Sequence, residues 1–436
     1  METKTKTDVI VVGAGPSGVA CAVTVARGNN KVLVLEKSSD FGVKNMFGGA
    51  VYLESIRELF PESFENAPFE RFLTDFNYVI LNGKNSIRVS YDNKENKTSA
   101  VITRYAFDTF LAEEARKEGV YFAPGTLVVD LIEKNGKIIG VKTEREEIYA
   151  DIVVLAEGFN SILANKAGLK KKISPKSAIL GVKEVIKLSD ETINQRFNLK
   201  GKEGAIFEFF GGLSKEGEDV PLAMGFLYTF KNTVTVGVGI LMENLKNNGI
   251  KPYEYLDRLK NNEFISPLIE GGEVVEYSAH SIPEGGYNEL PKLFKNGVIL
   301  VGDCANLVDS IHFEGTNLAI KSGILAGKTC NMAIQKGDFS EKTLKNYKKE
   351  LFKSFVIKDL KGYKDVIKTL YKRRESIFSY YPKKADEFFK MWTTADNKGK
   401  KLNYRRFAAS FFKERNLAEY LKDVISFVKC AIGAII

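Results

Sequence analysis

Soft metal ligands are nearly missing from this 436-residue chain, which holds two histidines (His280 and His312) and four cysteines (Cys21, Cys304, Cys330 and Cys430). No two cysteines are closer than 26 residues, so the sequence has neither a CxxC pair nor the clustered spacing of iron–sulfur ligands. A His-rich metal site is excluded, a His-based triad is disfavoured, and four reduced core thiols are the plain expectation. No metal is expected, and any redox chemistry needs an organic cofactor. Eleven prolines against 37 glycines exclude collagen-like and proline-rich classes. No apolar run approaches the roughly 20 residues of a spanning helix. Met1–Thr7 is polar and charged, unlike a secretory signal, so a cytoplasmic location is expected.

What is present is a globular composition, 44% hydrophobic and 27% charged, long enough for two domains. The net charge of +9 is unevenly spread. Glu341–Ile436 carries 24 Lys and Arg against 11 Asp and Glu, a net of +13, while the first 340 residues carry −4. The same tail holds 17 of the 49 aromatic residues. A basic, aromatic tail fits an acidic partner, either a protein or an anionic membrane surface. No nucleic-acid motif accompanies it, so nucleic acid is not expected as a partner.

Asp8–Val12 and Lys31–Glu36 are short apolar runs read as buried strands, with an Ala/Val-rich helix over Ser17–Arg27 between them. Such a βαβ unit implies a parallel, Rossmann-type sheet. Buried strands are also expected at Asp151–Ala156 and Gly297–Val301. A hairpin turning at Asn135-Gly136 and helices over Arg104–Glu118 and Thr316–Gln335 complete this part. Ala178–Lys187 and Ala205–Ile240 alternate and read as antiparallel strands of a second domain. From Ser340 the pattern is helical.

The sequence Gly13-Ala-Gly15-Pro16-Ser17-Gly18 is a GxGxxG motif between the first strand and its helix. The first glycine permits the turn, the second the approach of a pyrophosphate, and the third close packing of the helix. The helix N-terminus offers amides and a positive dipole end to phosphate. Glu36, at the end of the second strand, is placed to accept from ribose hydroxyls, and Lys37 follows it. Three further signals follow in order: Arg104-x3-Asp108-x2-Leu111, Ala156-Glu157-Gly158-x2-Ser161 and Gly302-Asp303.

In that order the four motifs resemble FAD-dependent oxidoreductases of the glutathione-reductase and aromatic-hydroxylase type. The resemblance implies that Gly302 and Asp303 hold the ribitol and pyrophosphate end and that Arg104 lies along FAD. Lys44–Tyr52, Gly225–Thr229, Glu276–Gly286 and Gly302–Ala305 sharpen it. They are similar to the electron-transfer-flavoprotein:quinone oxidoreductase family, in its FixC branch, and the similarity runs from Asp8 into the tail.

The implied fold is α/β: a glutathione-reductase-type FAD-binding domain (1–75, 100–170 and 272–340), a second antiparallel β substrate domain for quinone (76–99 and 171–271), and a basic helical tail (341–436). The implied activity is electron transfer from a two-subunit electron-transfer flavoprotein to a membrane quinone. Long members of the family carry their own [4Fe–4S] domain. This sequence has none, so a separate ferredoxin-like iron–sulfur subunit is implied, with a peripheral place on the cytoplasmic membrane.

By the same resemblance Lys44, Asn45, Met46, Gly48 and Gly49 belong to a loop that meets the isoalloxazine, with Lys44 or Asn45 beside the ring. Glu157 and Gly158 are assigned to the cofactor site. Gly315, Thr316 and Asn317 begin a helix whose N-terminus faces the flavin N1–O2 side. His280 is either a donor to a quinone carbonyl or an ordinary loop histidine. His312 stands equally between function and structure. Cys304 reads as a small buried hydrophobe. Leu417, Tyr420, Leu421, Val424, Ile425, Val428, Ile432 and Ile435 form one stripe of a C-terminal helix, with Lys422, Asp423, Ser426 and Lys429 opposite. That stripe fits a membrane, a partner subunit or this chain's own core. Two rival activities stand beside the main one: a geranylgeranyl-reductase-like flavoprotein and a non-catalytic FAD-containing assembly subunit. The first expects a Tyr-x-Trp-x-Phe-Pro stretch, and Gly225–Lys231 has neither Trp nor Pro.

Overall fold

The structure is a computed structural model that describes residues 6–43, 48–309, 311–395 and 399–435. The chain divides into two compact units. Met1–Phe72, Asn96–Ala178 and Ser281–Lys364 form the first, and Leu73–Glu95, Ile179–His280 and Asp365–Ile436 form the second.

The first unit is organised by apolar runs that cannot stay in water. β1 (Lys6–Val12), β2 (Val32–Glu36) and the strand Glu147–Leu155 bury Val9, Ile10, Val34, Ile152, Val153 and Val154 completely. Each such side chain contributes about 1.5–3 kcal/mol relative to exposure. Burial on both faces explains why these strands read as continuous apolar runs rather than alternations. β1 lies between β2 and Glu147–Leu155, parallel to both. Tyr121–Pro124 adds to the β2 side and Val298–Leu300 to the other, again in parallel. The hairpin of Val128–Lys134 and Lys137–Thr143 turns at Asn135 and Gly136, with φ of 52° and 74°, as the Asn-Gly pair requires. α1 (Pro16–Arg27) crosses from β1 to β2, and the helix Thr316–Lys336 packs along it. A Cβ at Gly323 would lie 2.2 Å from the Ser17 carbonyl oxygen, so glycine sets how closely the two backbones approach.

The second unit holds an antiparallel sheet in the order Glu273–Pro283, Ala178–Lys187, Thr233–Leu241, Ala223–Thr229, Glu203–Phe210, Arg71–Asn82, with Asn85–Asp92 hairpinned to the last. Val182, Phe209, Leu227 and Val236 form one core face, closed by Tyr255, Leu256 and Leu259 of the helix Pro252–Lys260. This is the α/β nucleotide-binding fold with an antiparallel second sheet and helical C-terminal region that the sequence implied.

Beyond residue 340, the helices Glu341–Lys353 and Phe355–Gly362 belong to the first unit. Those from Val366–Lys372 to Leu417–Ile435 belong to the second. The last helix turns its apolar stripe outward. Leu417, Leu421, Val424, Ile425, Val428 and Ile432 are 48–61% exposed, whereas Asp423 is fully buried. At these six positions the stripe does not cover the chain's own core, while Tyr420 of the same stripe packs against Tyr380 and Phe411, and Asp423, set opposite the stripe by periodicity, is turned inward. Asp423 lies 2.8 Å from Arg415 Nη1 and 3.5 Å from Arg373 Nε, and accepts from Tyr381 Oη at 2.8 Å. A buried carboxylate needs such partners, and two guanidinium groups supply them. Burial, together with that bond to Asp423, pushes the Tyr381 hydroxyl up to about 12. Among the described residues no helix is long and apolar enough to cross a membrane.

Candidate functional site

The first unit builds its site where β1 meets α1. Gly13 has φ +105°, and a Cβ there would sit 2.4 Å from the carbonyl oxygen of Ala156. A Cβ at Gly18 would sit 2.1 Å from that of Gly13. These two glycines serve packing. Gly15 differs: a Cβ there meets nothing within 4 Å, so its backbone faces open space. Pro16 is the first residue of α1, where its missing N–H costs no bond, and Ser17 follows, buried. The remaining first-turn amides have no intrahelical acceptor and point out of the helix end.

Glu36 stitches this turn to the end of β2. Its Oε2 accepts from Ala14 N and its Oε1 from Ser38 N, both at 2.9 Å. A carboxylate has lone pairs left after two bonds, so it can still accept from ribose hydroxyls. Lys37 beside it is exposed.

The other motifs are folded onto the same place. Gly302 has φ +61°, and a Cβ there would lie 2.6 Å from Ser17 Oγ, which puts the Gly302-Asp303 turn against the start of α1. Gly302 N donates to Ser322 Oγ at 3.0 Å, tying the turn to the helix Thr316–Lys336. Gly315 is the N-cap of that helix, and Thr316 and Asn317 are its first residues. Asn317 Nδ2 donates to Glu314 Oε2 at 2.7 Å, while the first-turn amides remain available to an anionic ligand. Arg104 is gripped by Asp108 through two bonds of 2.9 and 2.8 Å. Gly48 and Gly49 pair with Thr103 and Ile102, which sets them alongside Arg104. Lys44, Asn45 and Met46 lie outside the described residues.

Glu157 caps a helix. Its carboxylate accepts from Leu163 N at 2.8 Å and Ala164 N at 3.0 Å, and burial raises its pKa against those bonds. Gly158 supplies the left-handed turn, φ +68°, that lets the chain reverse there. His312 Nδ1 lies 2.9 Å from Asp309 Oδ2, and its ring meets Tyr363 edge-on at 4.7 Å. His280 belongs to the second unit, exposed on the strand Glu273–Pro283. Cys304 is wholly buried, and burial pushes its thiol up to about 12, so it is not a thiolate at neutral pH.

Sequence reasoning missed Lys170. Only 6% exposed, it donates from Nζ to Ser161 Oγ at 3.1 Å and to the carbonyls of Asp303 and Cys304 at 3.2 and 3.0 Å. It thus ties the turn after Glu157-Gly158 to the Gly302-Asp303 turn. Within Leu169–Lys172 it reads as one of a run of surface lysines, and no local signal marks it.

These residues fit FAD: an open backbone cradle at Gly15, a carboxylate at the end of β2, a glycine turn locked by a buried ammonium, and a helix N-terminus beyond. The fold and site define an FAD-dependent oxidoreductase with a glutathione-reductase-type nucleotide unit. Residues 8–181 match the FAD dependent oxidoreductase family, and residues 179–282 match the family described as ETF-QO, ubiquinone-binding. Protein FixC of Bradyrhizobium diazoefficiens is 37% identical over 430 residues, 97% of this chain and 98% of that protein. Protein FixC of Escherichia coli K12 is 35% identical, covering 87% of this chain and 88% of that protein. The chain belongs to the FixC family of FAD-dependent oxidoreductases, within the electron-transfer-flavoprotein:quinone oxidoreductases. Among solved structures, a geranylgeranyl bacteriochlorophyll reductase-like protein of Thermoplasma acidophilum shares the fold, with a TM-score of 0.72 and 23% identity over 84% of this chain and 88% of that one. The myxobacterial chondrochloren halogenase CndH gives a TM-score of 0.65 at 16% identity, over 99% of this chain and 97% of that one.

Proposed function

We propose that this chain takes electrons from a two-subunit electron-transfer flavoprotein, one that oxidises NADH, and passes them through FAD to a membrane quinone, beside a ferredoxin-like iron–sulfur subunit. The observation that carries the reading is the convergence of four nucleotide motifs on the open backbone at Gly15, in a chain whose residues 179–282 match a ubiquinone-binding family. FAD, when bound, supplies the conversion between two-electron and one-electron transfer.

The residues have distinct roles in this reading. Gly13, Gly15, Pro16, Ser17 and Gly18 form the pyrophosphate cradle, and Glu36 and Lys37 meet the ribose end. Arg104, Gly302 and Asp303 line the middle of the cofactor, with Glu157, Gly158 and Lys170 holding the turns. Gly48, Gly49, Gly315, Thr316 and Asn317 surround the ring. Residues 1–75, 100–170 and 272–340 carry FAD, 76–99 and 171–271 the quinone, and 341–436 the partner contacts. The outward stripe from Leu417 to Ile432, on a helix that also carries the exposed Lys422 and Lys429, suits the surface of an anionic bilayer, where each basic residue adds about 1 kcal/mol. This is a peripheral contact at the cytoplasmic face.

Co-purification from the native host, with flavin, iron and subunit analysis, tests the assembly. Iron and acid-labile sulfide should appear only when a small second subunit accompanies the chain. A [4Fe–4S] signal from the chain alone would contradict the account. NADH alone should bleach the flavin slowly or not at all, because the one complete GxGxxG βαβ unit is committed to FAD. Rapid bleaching in a stopped-flow experiment would instead favour a self-sufficient reductase.

A further inference from the structure

Glu284 is a carboxyl side chain with no reason to be where it is on packing grounds. The residue is 9% exposed, and its Oε2 is fully buried without a hydrogen-bond partner. Only its backbone is anchored, Glu284 N donating to the Ser177 carbonyl at 2.8 Å. Burial, and then the nearby charges of Asp309 and Asp303, raise its pKa well above the usual carboxylate range, which favours the protonated acid. Asp309 is 3% exposed and binds His312 Nδ1 at 2.9 Å, and the His312 side chain is 44% exposed. Asp309 therefore joins a solvent-facing imidazole, which it touches, to the buried Glu284, whose carboxyl feels the charges of Asp309 and Asp303. The segment that carries Asp309 and His312 runs between Gly302-Asp303 and the helix start at Gly315–Asn317, the two turns assigned to FAD. Glu314, Asp359 and Tyr363 are the other titratable groups facing Asp309.

We propose that Glu284, Asp309 and His312 form a proton path between solvent and the flavin-binding part of the first unit. The need for one follows from the chemistry: partners that exchange electrons alone leave the flavin's proton to be supplied or removed by the protein. The path depends on FAD and not on which carrier or quinone reacts, so its failure and that of the proposed function are separable.

The test uses the full FAD-loaded chain, chemically reduced and mixed with ferricyanide in weak buffer with an indicator dye. One two-electron-reduced anionic flavin and two ferricyanides give one oxidised flavin, two ferrocyanides and one proton. Glu284→Gln and His312→Ala should each slow flavin reoxidation and dye response together, by about a hundredfold, the lower range for removing a placed proton-transfer group. Imidazole should restore the rate in His312→Ala. Infrared spectra provide a readout independent of turnover: the wild type should show the carbonyl stretch of a buried protonated acid, missing from Glu284→Gln. If Glu284→Gln fails to hold FAD, His312→Ala and its rescue decide the matter. Wild-type rates in the variants that hold FAD, no rescue by imidazole, or an infrared band unchanged by Glu284→Gln would each overturn the proposal.

Discussion

Gly15→Glu should yield a folded protein without flavin. Gly15 has φ −72° and ψ 174°, a conformation open to any residue, and a Cβ there touches nothing. The substitution therefore adds no backbone strain and leaves the sheet intact. What it adds is a carboxylate in the space assigned to the FAD pyrophosphate. Like charges about 4 Å apart repel by about 4 kcal/mol at an effective dielectric of 20, which is about a thousandfold in affinity. The yellow colour should be lost at purification, while the melting temperature of the variant should match that of wild-type apoprotein. Gly15→Ala, which adds only a methyl group, should keep most of its FAD. Stoichiometric FAD in Gly15→Glu would show that the cofactor lies elsewhere.

The C-terminal helix should separate attachment from stability. Leu421, Val424 and Val428 are about half exposed and point away from the unit that carries them. Replacing all three with Asp should abolish binding to anionic vesicles while flavin content and melting temperature hold. Asp423→Ala should do the reverse. It takes the buried carboxylate from Arg415 and Arg373 and leaves them only the part-exposed Glu419, at 3.7 and 3.2 Å; breaking a buried pair costs about 3–5 kcal/mol, enough to loosen the second unit. Because Asp423 anchors the helix, deleting Leu417–Ile436 would mix the two effects, and point substitutions are the cleaner probe. Unchanged vesicle binding in the triple variant would remove the helix from the membrane account. Rising salt should weaken the wild-type attachment, since exposed charges are screened beyond about 8 Å at physiological ionic strength.

The nucleotide unit was legible in the sequence because its signals are local. β1, α1 and β2 follow from apolar runs and from glycines whose neighbours leave no room for a side chain. The order of four motifs then identified FAD. Three buried charged or titratable residues were not legible, two at the nucleotide site and one in the C-terminal helix. Lys170 lies in a lysine-rich stretch, and Asp423 on what periodicity assigns to the polar face. Glu284 sits in a loop motif noted only for its resemblance. Each is buried by tertiary packing of segments distant in sequence: Ser161 and the 303–304 carbonyls meet Lys170, Arg373 and Arg415 meet Asp423, and Ser177 holds the backbone of Glu284. Periodicity assumes that charge faces water, and these residues break that assumption where structure or function demands it. The same limit explains the last helix, whose stripe was visible in the sequence but whose direction was not.

The central claim, that FAD in this chain delivers electrons to quinone, is tested most directly by anaerobic stopped-flow. The purified chain, its flavin chemically reduced, is mixed with a short-chain ubiquinone analogue, and the flavin absorbance is followed. The account predicts reoxidation that rises with quinone concentration, saturates, and yields one quinol per flavin. Flavin that stays reduced in the presence of excess quinone, in the chain alone and equally in its co-purified complex, would contradict it.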